Sequence, residues 1–149
     1  MGRTGVAAIG DRAFSGTGIK QLGLSSNENL VSIGEEVFAN CPSLKHVTFP
    51  LNVKIIPAKA LFQCESLRSV GVPLVLESIG ESAFVGCKKL FNINIPPNIT
   101  DIADDAFLGC PITLYVAKGS YAENYAVKNN YRYDEHNEYV KFVDCNWGK

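Results

Sequence analysis

One hydrophobic rhythm recurs along the chain. In Leu44-Lys45-His46-Val47-Thr48-Phe49 the apolar positions are Leu44, Val47 and Phe49. The last pair alternates as a short strand does, so one side faces a core and the other faces solvent. The triads Leu67, Val70, Val72 and Leu90, Ile93, Ile95 repeat the spacing, and Pro50, Pro73 and Pro96 follow each triad directly. Proline has no N–H to give to a sheet ladder, so it ends the strand and turns the chain. Val53 with Ile56, Leu76 with Ile79 and Ile99 with Ile102 then line the return path. Ile79, Ala83 and Phe84 fall at i, i+4 and i+5, a spacing that predicts one or two helical turns laid against the core. Glu35, Glu36, Asp104 and Asp105 would occupy the first turn, where carboxylates favour the exposed N–H groups.

Written from each isoleucine, the segments are IGDRAFSGT from Ile9, IGEEVFANC from Ile33, IPAKALFQC from Ile56, IGESAFVGC from Ile79 and IADDAFLGC from Ile102. Their starts keep an interval of about 23 residues, within the range of leucine-repeat periods. Five tandem units thus cover residues 9 to about 117. A unit that short cannot bury its own apolar face. Stacking solves this: each strand lies about 4.8 Å from its equivalent in the next unit, a parallel sheet runs along the stack, and like residues form columns. The predicted columns are Ile9, Ile33, Ile56, Ile79, Ile102 and Phe14, Phe38, Leu61, Phe84, Phe107. Leu61 is the departure in the aromatic column, with Phe62 beside it to refill part of the space.

The combination of IGxxAFxxC, LxxIxIP and this period resembles the BspA-type leucine-rich repeat, over about three quarters of the chain. The resemblance implies an α/β fold, a right-handed βα superhelix that forms a leucine-rich-repeat solenoid of about five coils, each of about 23 residues, with a C-terminal helical cap. It also implies binding of other macromolecules, commonly proteins in adhesion or recognition, with no catalytic residues and no cofactor. Thr113 to Val116 resembles the last strand before a terminal cap, in which GSYAENYAVKNN forms a helix with Ser120 as N-cap. Tyr121, Tyr125 and Val127 are then expected to cover the open apolar edge. The organisation read from these features is a solenoid over residues 1–134 (repeats about 9–117, cap about 118–134) and a tail over 135–149. In the tail, Tyr139, Lys141 and Val143 alternate with Val140 and Phe142 as a further strand would. The N-terminal side shows no comparable cap, since the first unit begins within ten residues of the start: either those residues suffice, or the chain is a piece of a longer array, or association with a partner covers that edge.

Composition narrows the function classes. The 149 residues are 46% apolar and 19% charged, with 14 basic against 15 acidic side chains and a formal charge of −1. No polycation is present to make the phosphate contacts of a nucleic-acid binder. The longest apolar run, Val70 to Leu76, falls far short of the roughly 20 residues of a spanning helix and contains Pro73, so membrane insertion is not expected. The opening MGRTGVAAIGDRAF lacks a secretory apolar core, and Val6 stands where a myristoylation pattern wants Ser or Thr. The expectation is therefore an intracellular chain, with a cell-surface setting if it is part of a longer one.

Cys41, Cys64, Cys87 and Cys110 recur once in each unit, which lays sulfurs along a line, whereas a zinc site converges them on a point. They read as buried small thiols filling the corner of each coil, free because parallel side chains are poorly aimed for a disulfide; Thr17 takes the same place in the first unit. Cys145, in the tail, is the expected exposed and reactive thiol. Neither histidine carries a motif: His46 occupies an outward strand position beside Lys45, and His136 lies in the tail. No GxSxG, phosphate-cradling glycine loop, HExxH or EF-hand pattern occurs. The sequon Asn98-Ile99-Thr100 falls at a repeat turn.

What remains is the outward face of the predicted sheet. Its strands present Gln21 and Gly23, His46 and Thr48, Ser69 and Gly71, Asn92 and Asn94, then Thr113 and Tyr115, with Lys20, Lys45, Arg68 and Phe91 alongside. Small uncharged polar groups with an aromatic or two suit contact with a protein, and basic groups at the edge suit steering. The candidate binding residues are Gln21, Lys45, His46, Thr48, Arg68, Ser69, Phe91, Asn92, Asn94 and Tyr115. The expected function is a non-enzymatic protein-binding module. The alternatives are an assembly subunit of a larger complex, held through its N-terminal edge and tail, and a fragment of a cell-surface adhesin.

Overall fold

The computed structural model describes residues 7–135. Each coil carries two short strands. The longer ones are β2 (Gln21–Gly23), β4 (His46–Thr48), β6 (Ser69–Gly71), β8 (Asn92–Asn94) and β10 (Thr113–Val116); they alternate along the chain with the two-residue strands β1 (Ala8–Ile9), β3 (Ser32–Ile33), β5 (Ile55–Ile56), β7 (Ser78–Ile79) and β9 (Asp101–Ile102). After β10 come the helix α1 (Tyr121–Lys128) and a last strand, β11 (Arg132–Glu135). All pairings are parallel, in the orders β2-β4-β6, β8-β10-β11, β1-β3 and β5-β7-β9. The strands β6 and β8 lie side by side, so the longer strands make one face. With β11 completing a sixth turn, the solenoid has six coils where the sequence pattern led us to expect five.

The predicted columns form. Ile9 pairs with Ile33, and Ile79 sits between Ile56 and Ile102 in register. The rings of Phe14 and Phe38 stack at 5.5 Å and those of Phe84 and Phe107 at 5.1 Å. Leu61, fully buried, bridges the two pairs. Phe62 beside it is half-buried, with the Lys59 ammonium over its ring at 5.8 Å. Among the described residues every buried side chain that fills the core is apolar, and no polar or charged residue is buried.

The coils contain no helix, which corrects the reading of the Ile-Ala-Phe spacing. The segment after each two-residue strand is a run of turns, and in the first four of them Arg12, Glu36, Lys59 and Ser82 take the same left-handed conformation, φ 55–57°. A residue in that region cannot continue a right-handed helix. Alternate N–H groups point along the stack instead: Arg12, Phe14 and Gly16 donate to the carbonyls of Glu35, Val37 and Ala39, each at 2.9 Å, and the following coils repeat the pattern. The turns thus build a third ladder between coils. Two carboxylates serve it, Asp11 and, of the four acids expected at helix starts, Asp105. The Asp11 carboxylate accepts from Glu35 N–H at 2.8 Å, and that of Asp105 accepts from Ser82 N–H at 2.9 Å and Ser82 Oγ–H at 2.6 Å. These bonds, led by the Ser82 hydroxyl, hold the Asp105 carboxyl below its ordinary range.

The ladder demands close approach of the backbones. A Cβ on Gly80 would stand 2.6 Å from Ala58 N, and one on Gly34 would stand 2.4 Å from Asp11 N, so glycine is required at both.

The cysteines fill the corners. Cys41, Cys64 and Cys87 are buried and Cys110 half-buried, and their thiols donate to the carbonyls of Phe14, Phe38, Leu61 and Phe84 in the preceding coil at 3.0, 3.0, 3.2 and 2.9 Å. Thr17 Oγ donates to Phe14 O at 2.8 Å, a bond from the same corner to the same carbonyl that Cys41 reaches. Burial pushes the Cys64 thiol up to about 12, and Cys87, beside Cys110 and also buried, is raised as well. Cys145 lies outside the described residues, as do His136 and the alternating stretch at 139–143.

At the C-terminal end Ser120 caps α1 as expected, accepting from Glu123 N–H at 3.3 Å, while the Glu123 carboxylate accepts from Gly119 N–H. The buried face of α1 is Ala122, Tyr125 and Ala126; Tyr121 is partly exposed but its hydroxyl accepts from Ile102 N–H at 3.3 Å, so of the three residues expected to cover the edge Tyr125 and Tyr121 reach the preceding coil and Val127 points out. Tyr125 and Tyr131 stack at 5.8 Å and meet the ring of Phe107 edge-on, which extends the aromatic column into the cap. Tyr125 OH donates to Ala103 O at 2.9 Å, and burial raises its pKa.

Candidate functional site

The register of the longer strands puts the candidate residues in two rows. Gln21, His46 and Ser69 are successive partners across β2, β4 and β6, as are Gly23, Thr48 and Gly71. Across β8, β10 and β11 the partners are Asn92, Thr113 and Arg132 in one row and Asn94, Tyr115 and Asp134 in the other. The pleat explains the segregation: Val47, Val70, Ile93 and Leu114 between the rows point inward and are buried, so their neighbours on either side must point out.

Gln21 and Asn92 are exposed, while His46, Thr48, Ser69, Asn94 and Tyr115 are half-buried in the face. His46 Nδ1 and Ser69 Oγ lie 2.6 Å apart, a hydrogen bond whose direction follows the imidazole tautomer. Lys45, Arg68 and Phe91 hold equivalent positions directly before their strands, and all three are exposed, Phe91 at 59%. The structure thus brings the ten candidates onto one side of the molecule. A shallow groove of about 180 Å³ opens beside Gln21, Leu22, Gly23, His46 and Thr48. Chemically the face offers amide, hydroxyl and imidazole donors and acceptors at the inter-strand spacing, with cations and one large ring at its margin.

Two features escaped the sequence pattern. Arg132 and Asp134 extend both rows onto β11, which follows the cap helix and carries no repeat motif; the alternation Tyr131-Arg132-Tyr133-Asp134 was its only signal. Leu51, Leu74 and Val75 form an exposed apolar margin at the proline turns, signalled by the apolar residues that follow Pro50 and Pro73. A second cleft, about 350 Å³, lies between the fifth coil and the cap, lined by Cys110, Pro111, Ile112, Asn130, Tyr131 and Arg132. Among the described residues no three His, Cys, Asp or Glu side chains group as metal ligands would, and no helix is long and apolar enough to cross a membrane.

Known proteins share the fold. No curated protein matches the chain. Among solved structures, the leucine-rich repeat protein of T. pallidum (TpLRR) is similar at 25% identity and a TM-score of 0.69, covering 74% of this chain and 52% of that one. A leucine-rich repeat protein from Eubacterium ventriosum is similar at 28% identity and a TM-score of 0.56, covering 72% and 35%. The pneumococcal vaccine antigen PcpA shares the fold at 16% identity and a TM-score of 0.65, covering 91% and 43%. The chain therefore spans between about a third and a half of the length of these proteins. The model of the BspA type leucine rich repeat region matches six copies over residues 4–131, beginning before Ile9 and continuing through the cap helix. Six matching copies, a solenoid of six coils and bacterial leucine-rich repeat neighbours agree: the chain belongs to the BspA-type leucine-rich repeat family.

Proposed function

We propose that the chain is a non-enzymatic protein-binding module that engages its partner through the outward face of the longer strands. The observation that carries this reading is the contrast between adjacent positions of one strand. The inward position is Leu22, Val47, Val70, Ile93 and Leu114 in successive coils, whereas the outward position beside it runs Gln21, His46, Ser69, Asn92 and Thr113. Packing constrains the first set and not the second, so the face is the part of the coil that can take on a partner's chemistry. From β2 to β10 its rows hold small or uncharged polar residues, as suits a contact that must shed water.

The test is to replace His46, Asn92 and Phe91 together with Glu and to follow capture of a partner from the native source. Loss of capture with an unchanged unfolding midpoint is expected. Retained capture by the folded variant would refute the reading.

A second reading, assembly through the N-terminal edge, has one observation of its own. Ile9, Phe14, Ile19 and Leu22 are only partly buried, whereas Ile33 and Phe38, the counterparts of Ile9 and Phe14 in the next coil, are buried. Sedimentation across protein concentrations checks it: self-association that Phe14→Glu abolishes supports the edge, and a monomer throughout removes it.

A further inference from the structure

Lys20, Lys45 and Arg68 each stand one residue before β2, β4 and β6, and all three are exposed. Lys45 N–H donates to Lys20 O and Arg68 N–H to Lys45 O, both at 2.8 Å, so the three residues are neighbours across successive coils at about the 4.8 Å inter-strand spacing. Like charges side by side on adjacent strands repel. Elsewhere three lysines pair with carboxylates, Lys54 with Glu77, Lys88 with Glu65 and Lys128 with Asp104, while Lys59, Lys89 and Lys118 stand in none of these pairs. None of the ion pairs among the described residues includes Lys20, Lys45 or Arg68. The rows beside them, Gln21-His46-Ser69 and Gly23-Thr48-Gly71, contain no carboxylate, although the chain has 15 acidic residues to place. In the fourth coil the column ends in Phe91, exposed at 59%.

Resting on the reading of this face as the binding surface, we propose that its partner is an acidic protein segment. The carboxylates of the segment lie along Lys20, Lys45 and Arg68, where the guanidinium takes one of them through two parallel N–H bonds, and an apolar side chain seats on Phe91. Binding of that segment relieves the repulsion within the column. A column of three cations on a chain of net charge −1 is too short to track a nucleic-acid backbone, and the uncharged hydrogen-bonding rows beside it fit peptide groups. The face is thus specific for the sign of its partner.

The experiment measures fluorescence anisotropy of a short labelled peptide alternating Glu and Tyr, against the full chain. A peptide alternating Lys and Tyr, an oligothymidylate and phosphatidylserine vesicles serve as comparison probes. The Glu–Tyr peptide is expected to bind, to weaken about tenfold or more as ionic strength rises from about 0.05 to 0.5 M, and to lose about tenfold in Lys45→Glu/Arg68→Glu. Lys54→Glu, on the return strand side, is expected to leave it unchanged. Asn92 separates this proposal from the reading beneath it. Asn92→Lys should hold or tighten the peptide and Asn92→Glu should weaken it. If both variants weaken binding equally, the face binds but the acidic partner is refuted; if neither changes it, both readings fail. Failure of the Glu–Tyr peptide to bind, equal or better binding of the Lys–Tyr peptide, or tighter binding of the oligonucleotide or the vesicles would each overturn the proposal.

Discussion

The two sides of each coil obey different rules. On the turn side the same residues recur because the backbone leaves no choice: an isoleucine to enter the core, a Phe or Leu to stack, a thiol or hydroxyl to reach a backbone carbonyl at the corner, and alternate N–H groups bonded to the coil after. On the face of the longer strands only the inward position is constrained, and the outward ones change from Gln21 to His46 to Ser69 to Asn92. Repetition along this chain therefore marks architecture, and departure from repetition marks where contact with another molecule can be written. Substitutions on the turn side should cost stability, and those on the face should cost binding alone.

The largest effect expected is from Phe84→Ala, which removes a fully buried ring stacked on Phe107 and should destabilise by about 3–5 kcal/mol. That is a large share of the ~5–15 kcal/mol typical of a domain; an unchanged denaturant midpoint would show that the column is not the spine of the stack. Gly80→Ala comes next. Its new methyl would press on the Ala58 backbone at 2.6 Å, and a loss of about 1–3 kcal/mol is expected by calorimetry. A Tm equal to wild type would mean that the coils do not approach so closely.

The buried thiols sharpen the same contrast through pH. Because burial raises Cys64 from 9.0 to about 12, folding favours its protonated form. The stability it contributes is present in full below pH 9.0, its unfolded value, and is lost as the pH climbs to about 12. Cys64→Ala should flatten this alkaline limb, and iodoacetamide should label Cys64 at about pH 8 only on unfolding. Rapid labelling of Cys64 in the folded chain would contradict its burial. Smallest of all is Asn92→Glu, which should change stability by no more than about 0.5 kcal/mol while altering binding.

How much of this was legible beforehand follows from the same difference. The columns were legible because Ile33, Ile56, Ile79 and Ile102 recur at a fixed interval, and a fixed interval in a unit too small to fold alone can be satisfied only by stacking. The two rows of the face were legible from the pleat once β4, β6 and β8 were placed. The turns were not. Ile79, Ala83 and Phe84 at i, i+4 and i+5 fit a helix and a run of turns equally, and the left-handed conformation at Arg12, Glu36 and Lys59 falls on residue types that carry no turn signal. The strands Ser78–Ile79 and Asp101–Ile102 escaped because two residues are too few to show alternation. β11 escaped because it lies outside the repeat motif and is held by pairing with β10 rather than by an apolar side of its own, all four of its residues being exposed.

Hydroxyl-radical footprinting of the complex with the captured partner tests most directly which side binds. Phe91 on the face and Leu108 on the turn side are exposed to almost the same degree, 59% and 61%, so each serves as the other's control. Partner binding should suppress oxidation of Phe91 and leave Leu108 unchanged. Protection of Leu108 with Phe91 still oxidised at its free rate would place the contact on the turn side and contradict the proposed division of labour.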